Sequence, residues 1–513
     1  MLKKIFISLF LAMEIFAQSA TLVGTVTDKN GEAVSYATVQ VKELNLTAIT
    51  NGSGKFIIKR IPYGKYRLII SHVAFAVKEV KATIDQKRAE IKITLTRTPV
   101  KLGEAVVVGT RTPETEKNFA LPVESIGERD LQISLPNSIA DALDTKAGVA
   151  VARDGAWGTM INVRGLSKQN LVYIVDGARI ETSTNIAGGL SLFDLNDVEK
   201  AEVIKGGLST LYGSGATGGV VNIVTKQAHY SENNYFSGQF SSGYETVNKG
   251  YSNGLNLFAG GARWKTKISL GSAKASDTKI PDGYLENSSF KNYSYAGNFG
   301  YLLSNKLEIR TEFQKYKAED VGIPGGAAFP PTARATYPEA SRQLFNAELL
   351  YRKPFATINL LTIRYYNQWI RRVVEIIPAP GKSVKPSSDH RTNGVTLQSE
   401  AILGSNFVIA GIDAWQRTYN GIRETRNDAA NAKIYDKPVP NSKFASLGFF
   451  VNDDIPLTPE FKMTLGGRYD FIRIENDETI NPIYKVVNES YTHLTQRLHF
   501  PRKKKTTNRG AEI

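Results

Sequence analysis

Residues 198–226, VEKAEVIKGGLSTLYGSGATGGVVNIVTK, are the most informative stretch of the sequence, because they place a cluster of glycines between two apolar, β-branched runs. A nucleotide-binding loop would need a strand before the glycines and a helix after them. Here the residues just before Gly213 are too few for a long first strand, and VVNIVT after the glycines is typical of a strand. We therefore predict tight turns that require positive φ. The candidate turn glycines are Gly165, Gly177, Gly206, Gly213, Gly218 and Gly219.

Outward from this stretch, residues 116–228 carry further motifs in a fixed order: LPNSIADAL at 135–143, NVRG at 162–165 and VYIVDG at 172–177. Together with the two runs quoted above, this order resembles the plug domain of TonB-dependent outer-membrane receptors. The resemblance implies an α+β domain that closes the lumen of a transmembrane β-barrel.

The resemblance also implies a latch, since plugs of this family carry cations that pair with glutamates of the barrel wall. The matching positions here are Arg164 and Lys205, and Glu202 and Asp176 lie close enough in sequence to complete a local network. A guanidinium is usual at the second position. The ammonium of Lys205 makes a point contact instead of a bidentate fork, so we expect a looser latch. Without the family, ordinary surface or turn charge would be the preferred interpretation.

The linker at 99–115, PVKLGEAVVVGTRTPET, has two prolines and two glycines around an apolar centre. Such a centre can add to the sheet edge of a partner, although composition alone favours an ordinary strand. The family resemblance implies a TonB box, gripped by TonB of the inner-membrane energy complex with ExbB and ExbD. The matching residues are Glu104, Ala105, Val106, Val107, Val108 and Gly109.

A small β-sandwich is predicted at residues 18–98. Turn signals recur at 28–31 (DKNG), 51–54 (NGSG) and 62–64 (PYG). The runs between them alternate and suggest about seven strands: LVGTV, ATVQVKE, KFIIKRI, KYRLIIS and EIKITLT. The order of these motifs resembles the carboxypeptidase regulatory-like domain. Since no zinc ligands or nucleophile accompany it, this implies a fold only, and we expect a periplasmic spacer or docking module.

The N-terminus indicates export. Residues 1–17 begin with Lys3 and Lys4 and continue with a short apolar run, which predicts a cleaved signal peptide more than a membrane anchor. No long apolar run occurs later, so any membrane spanning must use β-strands.

Composition argues against catalysis. The chain has no cysteine, and its five histidines lack zinc-binding spacing. The net charge of +15 is compatible with an anionic partner without identifying one. We expect no enzyme, no metal site, no cofactor and no nucleic-acid partner.

After residue 228 the sequence changes to the alternation of aromatic or apolar with polar residues that is expected of outer-membrane strands. In KLEIRTEFQ, alternate residues are expected to face the lipid and the lumen. The lipid-facing residues are Leu307, Ile309, Thr311 and Phe313, and the lumen-facing residues are Glu308, Arg310, Glu312 and Gln314. GVTLQSEAIL and QLFNAELLY repeat the pattern. The stretch 448–471 resembles a recurrent hairpin of the receptor family, with a periplasmic turn. Longer insertions at 320–341 and 377–391 should then be outer loops.

The length raises a problem, because plugged barrels have about 22 strands and need on the order of 440 residues. Only about 285 residues follow position 228, enough for about a dozen strands, and the ending HLTQRLHFPRKKKTTNRGAEI is basic and does not alternate. We therefore expect residues 229–513 to form a partial β-barrel with an aberrant basic tail. A truncated or frame-shifted chain explains this better than a smaller natural barrel does, and its open sheet would not insert stably.

The predicted fold is mainly β: a small β-sandwich, an α+β plug domain and an incomplete transmembrane antiparallel β-barrel. The predicted function is TonB-dependent uptake, at the Gram-negative outer membrane, of a scarce large ligand. An iron–siderophore complex comes first and haem or cobalamin next; other candidates are glycan uptake and a non-transporting remnant. Expected partners are TonB with ExbB and ExbD, outer-membrane lipid, and a metal chelate or other ligand.

Overall fold

The computed structural model divides the chain into two compact units, Met1–Leu102 and Gly103–Ile513. It describes residues 19–29, 31–44, 46–72, 75–96, 105–106, 114–115, 122–134, 136–153, 155–180, 182, 189–206, 209–213, 215–324, 333–458, 461–477 and 488–499. The predicted signal peptide and the basic end of the chain lie outside these residues. Both units consist mainly of β-strands, and the predicted fold class is confirmed.

The first unit is a β-sandwich of two antiparallel-rich sheets, with strand orders β4-β1-β7 and β3-β2-β5-β6. Alternation forms its core: in β1 every second residue from Ala20 onward is buried. The strands are β1 (Ser19–Asp28), β2 (Thr38–Val41), β3 (Leu46–Ile49), β4 (Lys55–Pro62), β5 (Gly64–His72), β6 (Phe75–Ile84) and β7 (Arg88–Leu95). The five runs quoted from the sequence correspond to β1, β2, β4, β5 and β7. The remaining two, β3 and β6, are edge strands, where exposure to solvent weakens the hydrophobic pattern.

A second domain, called here the plug, comprises the described residues of 122–226. Its main sheet has the order β10-β16-β17-β14-β15, and a smaller sheet has the order β11-β12-β13. The strands are β10 (Val123–Gly127), β11 (Val149–Arg153), β12 (Thr159–Val163), β13 (Leu166–Ser167), β14 (Leu171–Val175), β15 (Ala178–Ile180), β16 (Val198–Lys205) and β17 (Gly219–Thr225); the helices are α1 (Glu128–Ser134), α2 (Ile139–Leu143) and α3 (Ser209–Tyr212). Before the plug, β8 (Ala105–Val106) pairs with β9 (Glu114–Thr115).

The plug sheet is not a nucleotide-binding layer. Strand β17 follows the glycine cluster directly and pairs antiparallel with β16 and parallel with β14. Both β16 and β17 are buried on almost every residue, because they lie at the centre of the sheet. The glycine-rich stretch therefore connects two central strands, as the sequence predicted.

The wall, as we call the large sheet of 235–499, has twelve strands in sequence-adjacent antiparallel order and one short strand, β29, paired beside them. Its strands are β18 (Tyr235–Glu245), β19 (Gly250–Gly260), β20 (Trp264–Ala275), β23 (Phe290–Leu302), β24 (Leu307–Ile323), β25 (Arg334–Arg352), β26 (Ile358–Ala379), β27 (Lys382–Leu403), β28 (Asn406–Asn427), β29 (Ala432–Asp436), β30 (Ser442–Pro456), β31 (Lys462–Asn476) and β32 (Asn488–His499). A hairpin, β21 (Thr278–Ile280) and β22 (Gly283–Leu285), lies in one connection. The sheet path ends at β18 and β32, so the described part of the barrel is open.

Alternation on the wall follows the prediction. Ile309 on the outer face is 37% exposed, whereas its neighbour Glu308 on the lumen face is fully buried. Phe345 and Val395 are exposed on the outer face in the same way. None of the helices in the described part of the chain has the length and apolarity needed to cross a membrane.

The two predicted outer loops are shorter than expected. The prediction for 377–391 is wrong: Ala379 pairs with Lys382, so β26 and β27 continue to a two-residue turn. Gly381, with φ of 73°, closes that turn at no steric cost. Residues 320–341 likewise contain the ends of β24 and β25, and 325–332 lie outside the described residues. Backbone pairing between neighbours extended these strands through segments whose composition suggested loops.

Candidate functional site: the plug–wall interface

The wall bends around the plug. Gln239 on β18 donates to Glu128 of the plug at 2.8 Å, and Arg468 on β31 donates to the carbonyl of Leu211 at 3.5 Å. Ten strand spacings of about 4.8 Å separate β18 from β31, roughly 48 Å if the sheet were flat. Contact of one small domain with both strands therefore requires a strongly curved sheet, with the plug on its concave face.

A buried polar cluster joins the plug to the first strands of the wall. Lys267 of β20 forms an ion pair with Asp197, which lies just before β16. Ser269, two residues along the same wall strand, donates to the same carboxylate oxygen at 2.8 Å. All three side chains are almost fully buried. Removing two opposite charges from water is costly, so such a pair needs the additional hydrogen bond that Ser269 provides.

A second cluster surrounds Asp176. Gln314 on β24 donates from one amide nitrogen to Asp176 at 3.0 Å and to Glu312 at 2.7 Å. The amide oxygen of Gln314 accepts from Arg342 at 2.5 Å, which brings a positive charge to the two carboxylates. Thr225 of the plug donates to Glu312 at 3.1 Å. The cluster thus connects β14, β17 and two wall strands in one hydrogen-bonded network.

Backbone carbonyls of the plug are the commonest acceptors at this interface. The wall donors are asparagine, glutamine and arginine side chains on β19, β23, β25, β26, β28 and β31. The eight bonds, each with the donor first, are Asn346 to Asp176, Arg364 to Gly177, Gln368 to Arg179, Arg417 to Thr182, Arg342 to Leu192, Asn256 to Asn196, Arg468 to Leu211 and Asn298 to Lys226. Distances run from 2.9 Å at Asn196 to 3.5 Å at Leu211. At these eight positions the wall contacts the plug through backbone groups that every plug sequence possesses.

An apolar cluster closes the interface near the C-terminal end of β24 and the N-terminal end of β25. Trp157 of the plug is 2% exposed, and its indole nitrogen donates to the hydroxyl of Tyr316 at 3.3 Å. Its ring lies 6.1 Å from that of Tyr337. Ala318 and Leu192 belong to the same buried cluster. Burial of these large side chains excludes water from this part of the lumen.

A cavity of about 390 Å³ remains between the plug and strands β18, β19, β20 and β23. Hydroxyl, amide and charged groups line it together with the rings of Phe193, Phe290 and Tyr316; the charged residues are Glu128, Asp194, Lys226, Glu245 and Lys274. Apart from Tyr316 of β24, its wall residues lie at the C-terminal ends of β18 and β20 and the N-terminal ends of β19 and β23. A mixture of apolar area and a few polar groups is typical of small-molecule sites.

The predicted latch residues occupy three different environments. Arg164 and Asp176 are the first residues of two-residue hairpin turns, β12–β13 and β14–β15, with φ of 51° and 46°. Arg164 is exposed, whereas Asp176 contacts the wall through Gln314. Lys205 is buried and pairs with Glu124 of the plug at 3.0 Å and with the carbonyl of Ala147.

Glu202 is also buried, with Lys200 at 2.5 Å and Asn222 at 3.1 Å, both on the plug sheet. Of the four candidates, the structure therefore brings Asp176 to the wall. The pairing of Arg164 and Lys205 with wall glutamates stays a prediction.

Five of the candidate turn glycines have φ between 76° and 143°, namely Gly165, Gly177, Gly206, Gly213 and Gly219. Two of them follow Arg164 and Asp176, so both central residues of each hairpin have positive φ, the signature of a type I′ turn. Gly218 differs, because a β-carbon there would lie 2.8 Å from the side chain of Leu166.

The coupling segment, as we call the TonB-box candidate Glu104 to Gly109, is described only in part. Ala105 pairs with Thr115, and Val106 with Glu114, in a short antiparallel ladder. The remaining candidates, Glu104, Val107, Val108 and Gly109, lie outside the described residues.

Sequence reasoning did not single out Asp197 or Lys267. Asp197 lies in a loop without periodicity, so nothing indicated that it faces the wall. Lys267 had a usable signal: in WKTKISLG, alternation places Lys265, Lys267 and Ser269 on one face, opposite Ile268 and Leu270. A lysine on the lumen face of a strand needs a partner, but alternation cannot identify it.

Comparison with known proteins agrees with this architecture. The family described as TonB dependent receptor-like, beta-barrel, matches residues 193–500, the TonB-dependent Receptor Plug Domain matches 115–220, and the CarboxypepD_reg-like domain matches 22–108. The TonB-dependent receptor SusC of Bacteroides thetaiotaomicron is 27% identical over 340 residues, which cover 60% of this chain and 32% of that protein. The vitamin B12 transporter BtuB of Vibrio vulnificus is 29% identical over 202 residues, which cover 38% of this chain and 32% of that protein.

Among solved structures, the pyoverdine outer-membrane receptor FpvA of Pseudomonas aeruginosa superimposes with a TM-score of 0.61 at 15% identity, covering 77% of this chain and 62% of that chain. At this identity the similarity concerns the fold alone. The chain spans about a third of the length of the two curated relatives.

Proposed function

Because this chain belongs to the TonB-dependent receptor family, we propose that it imports a scarce, large ligand across the outer membrane. An iron–siderophore complex is the first candidate, and haem or cobalamin comes next. Receptors of this family are transporters rather than enzymes. The observation that carries the proposal is the plug on the concave face of the wall, held by at least eight wall-to-carbonyl hydrogen bonds.

In a closed barrel such a plug would prevent passive flow, so transport would require work. The outer membrane has no nucleotide supply and, being leaky, no ion gradient of its own. The proposed source of work is TonB, coupled to ExbB and ExbD, which would grip Glu104 to Gly109 as an added strand. The short ladder of Ala105 and Val106 with Glu114 and Thr115 is consistent with a β-prone segment there. We propose that the N-terminal sandwich lies on the periplasmic side.

Glycan uptake is the second candidate. The similarity to SusC extends over 340 residues. The N-terminal match to a carboxypeptidase regulatory-like domain adds a domain that a receptor for an iron complex would not need. Both functions use the same plug and wall, so growth conditions must separate them.

The test compares cells that make this chain as their sole receptor with cells that lack it. Uptake of radiolabelled ferric siderophore under iron limitation is expected to depend on the chain and on TonB. Growth on defined oligosaccharides instead would favour the glycan candidate. Loss of both, with the protein present in the outer membrane and heat-modifiable on gels, would contradict import and favour a non-transporting protein.

A further inference from the structure

The hydrogen bonds across the interface have a consistent direction. Eight plug carbonyls accept from wall side chains, and plug side chains that accept include Asp176, from Gln314, and Asp194, from Ser294 at 2.7 Å. Bonds in the other direction are fewer, such as the one from Thr225 to Glu312. The plug thus presents mainly oxygen atoms to the wall, and the wall presents mainly nitrogen atoms to the plug.

The ion pair between Lys267 and Asp197 has the same polarity. Lys267 is 1% exposed and Asp197 is 5% exposed. The uncharged hydroxyl of Ser269 forms hydrogen bonds with Asp197 and Asn256. Asn256 in turn donates to the carbonyl of Asn196 at 2.9 Å. Two wall strands, β19 and β20, therefore converge on the two residues that precede β16, an inner strand of the plug sheet.

We propose that Lys267 is a positioning residue that anchors the plug to the wall through Asp197, with the cation on the wall and the anion on the plug. This is the reverse of the latch that the family resemblance implies, in which plug cations meet wall glutamates. The inference rests on the proposed function only in that the plug is a separable gate.

Burial explains why this pair should dominate. Removal of one member leaves the other without its ion-pair partner, facing the further buried charges of Glu312 and Arg342, in a site that water does not reach. This is the costly case for a buried ion pair. Removal of both leaves no charge and is much less harmful. The carbonyl contacts behave differently, because no substitution in the plug removes a backbone acceptor. The Asp197 side chain is therefore a place where a plug substitution can release the wall.

The wall also offers a matched control. Lys265 lies on the same strand and the same face, and at 8% exposure it is buried nearly as deeply. Its ammonium lies 5.1 Å from the ring centre of Tyr230, outside the plug. Removal of this lysine changes the charge of β20 as much as removal of Lys267 does, but it leaves Asp197 paired.

The test uses the full chain, whose lack of cysteine makes a single introduced thiol an unambiguous reporter. Ala318→Cys places the thiol on the lumen face of β24, in the buried cluster that Trp157 and Leu192 cover. The measurement is the rate at which a maleimide labels this thiol in purified protein, without ligand or TonB. Heat-modifiable gel mobility first establishes that each variant has a folded wall.

In this background, Lys267→Met and Asp197→Asn are each expected to speed labelling by about tenfold or more, as a buried unpaired charge requires. Lys265→Met should change the rate by less than about threefold, the usual range for a substitution away from such a pair. The double variant Asp197→Asn with Lys267→Met, and the exchanged pair Asp197→Lys with Lys267→Asp, should label more slowly than either single variant.

Equal rates for Lys267→Met and Lys265→Met would overturn the anchor, and so would additive effects in the double variant. If Lys267→Met does not fold, the comparison of Asp197→Asn with the double variant decides in the same way. Because neither ligand nor TonB enters this assay, failure of import in cells would leave its result unchanged.

Discussion

Replacing Gly219 by alanine should destabilise the centre of the plug sheet. Gly219 begins β17 with φ of 143°, a region that residues with a side chain rarely adopt, at a cost of about 1–3 kcal/mol. A β-carbon there would lie 2.2 Å from the backbone oxygen of Ile204. That oxygen cannot retreat freely, since Ile204 pairs with Val220 in the ladder of β16 and β17. Overpacking of this kind adds about 1–3 kcal/mol.

The two terms together predict a loss of about 2 to 6 kcal/mol in the free energy of opening, equivalent to at least about thirtyfold. Native-state hydrogen exchange, followed by mass spectrometry on peptides from β16 and β17, measures this quantity directly in the full chain. The amides of Val220 to Thr225 should exchange at least about thirtyfold faster in Gly219→Ala, while those of the sandwich remain unchanged.

Gly127→Ala is the matched control. Gly127 ends β10 in the same sheet, and no atom lies within 4 Å of the β-carbon it would gain. Its replacement should leave exchange unchanged or slow it slightly, because alanine restricts the unfolded chain by about 0.4–1 kcal/mol. If the two variants exchanged at similar rates, the argument from φ and the carbonyl contact would be refuted.

Three further predictions concern other parts of the chain. Ser138→Ala should lower plug stability by about 1 kcal/mol in a denaturant titration, because its hydroxyl caps α2 at 3.1 Å; the exposed Ser134→Ala should have almost no effect. Arg67 holds the pKa of Glu43 down to about 2, so the stability gained from this carboxylate is present above its ordinary pKa and is lost as pH falls through about 2. In Arg67→Met, NMR titration should show Glu43 near its ordinary pKa, and an unshifted curve would contradict the pairing. Val107→Pro should abolish uptake while ligand binding to cells persists, since proline cannot complete an added strand; equal loss of both would argue against the coupling segment.

Much of the fold could be predicted because local chemistry is strong at the positions concerned. Asp176-Gly177 between two apolar runs is a hairpin signal, and both residues adopt the required positive φ. The alternation around Glu308 and Ile309 placed one on the lumen face and one on the outer face, as found. The prediction of a loop at 377–391 was wrong, because long-range pairing with a neighbouring strand overrode a local composition rich in proline and charge.

The site was less accessible to sequence reasoning. Lys205 matched a family position, yet its ammonium contacts Glu124, a residue 81 positions earlier that β10 brings beside β16. Such a contact depends on strand order, which one sequence does not contain.

The order of the three parts, the glycine turns of the plug and the alternation of wall residues between two faces could be predicted from the sequence, because they follow from backbone sterics and a period of two residues. Which groups meet across the interface depends on the tertiary structure: Lys267 faces Asp197, and wall amides and guanidinium groups bond to plug carbonyls. The reason is that the two partners are 60 to 257 residues apart in the chain. Their meeting depends on how the sheet curves around the plug, and that curvature is a property of all its strands together.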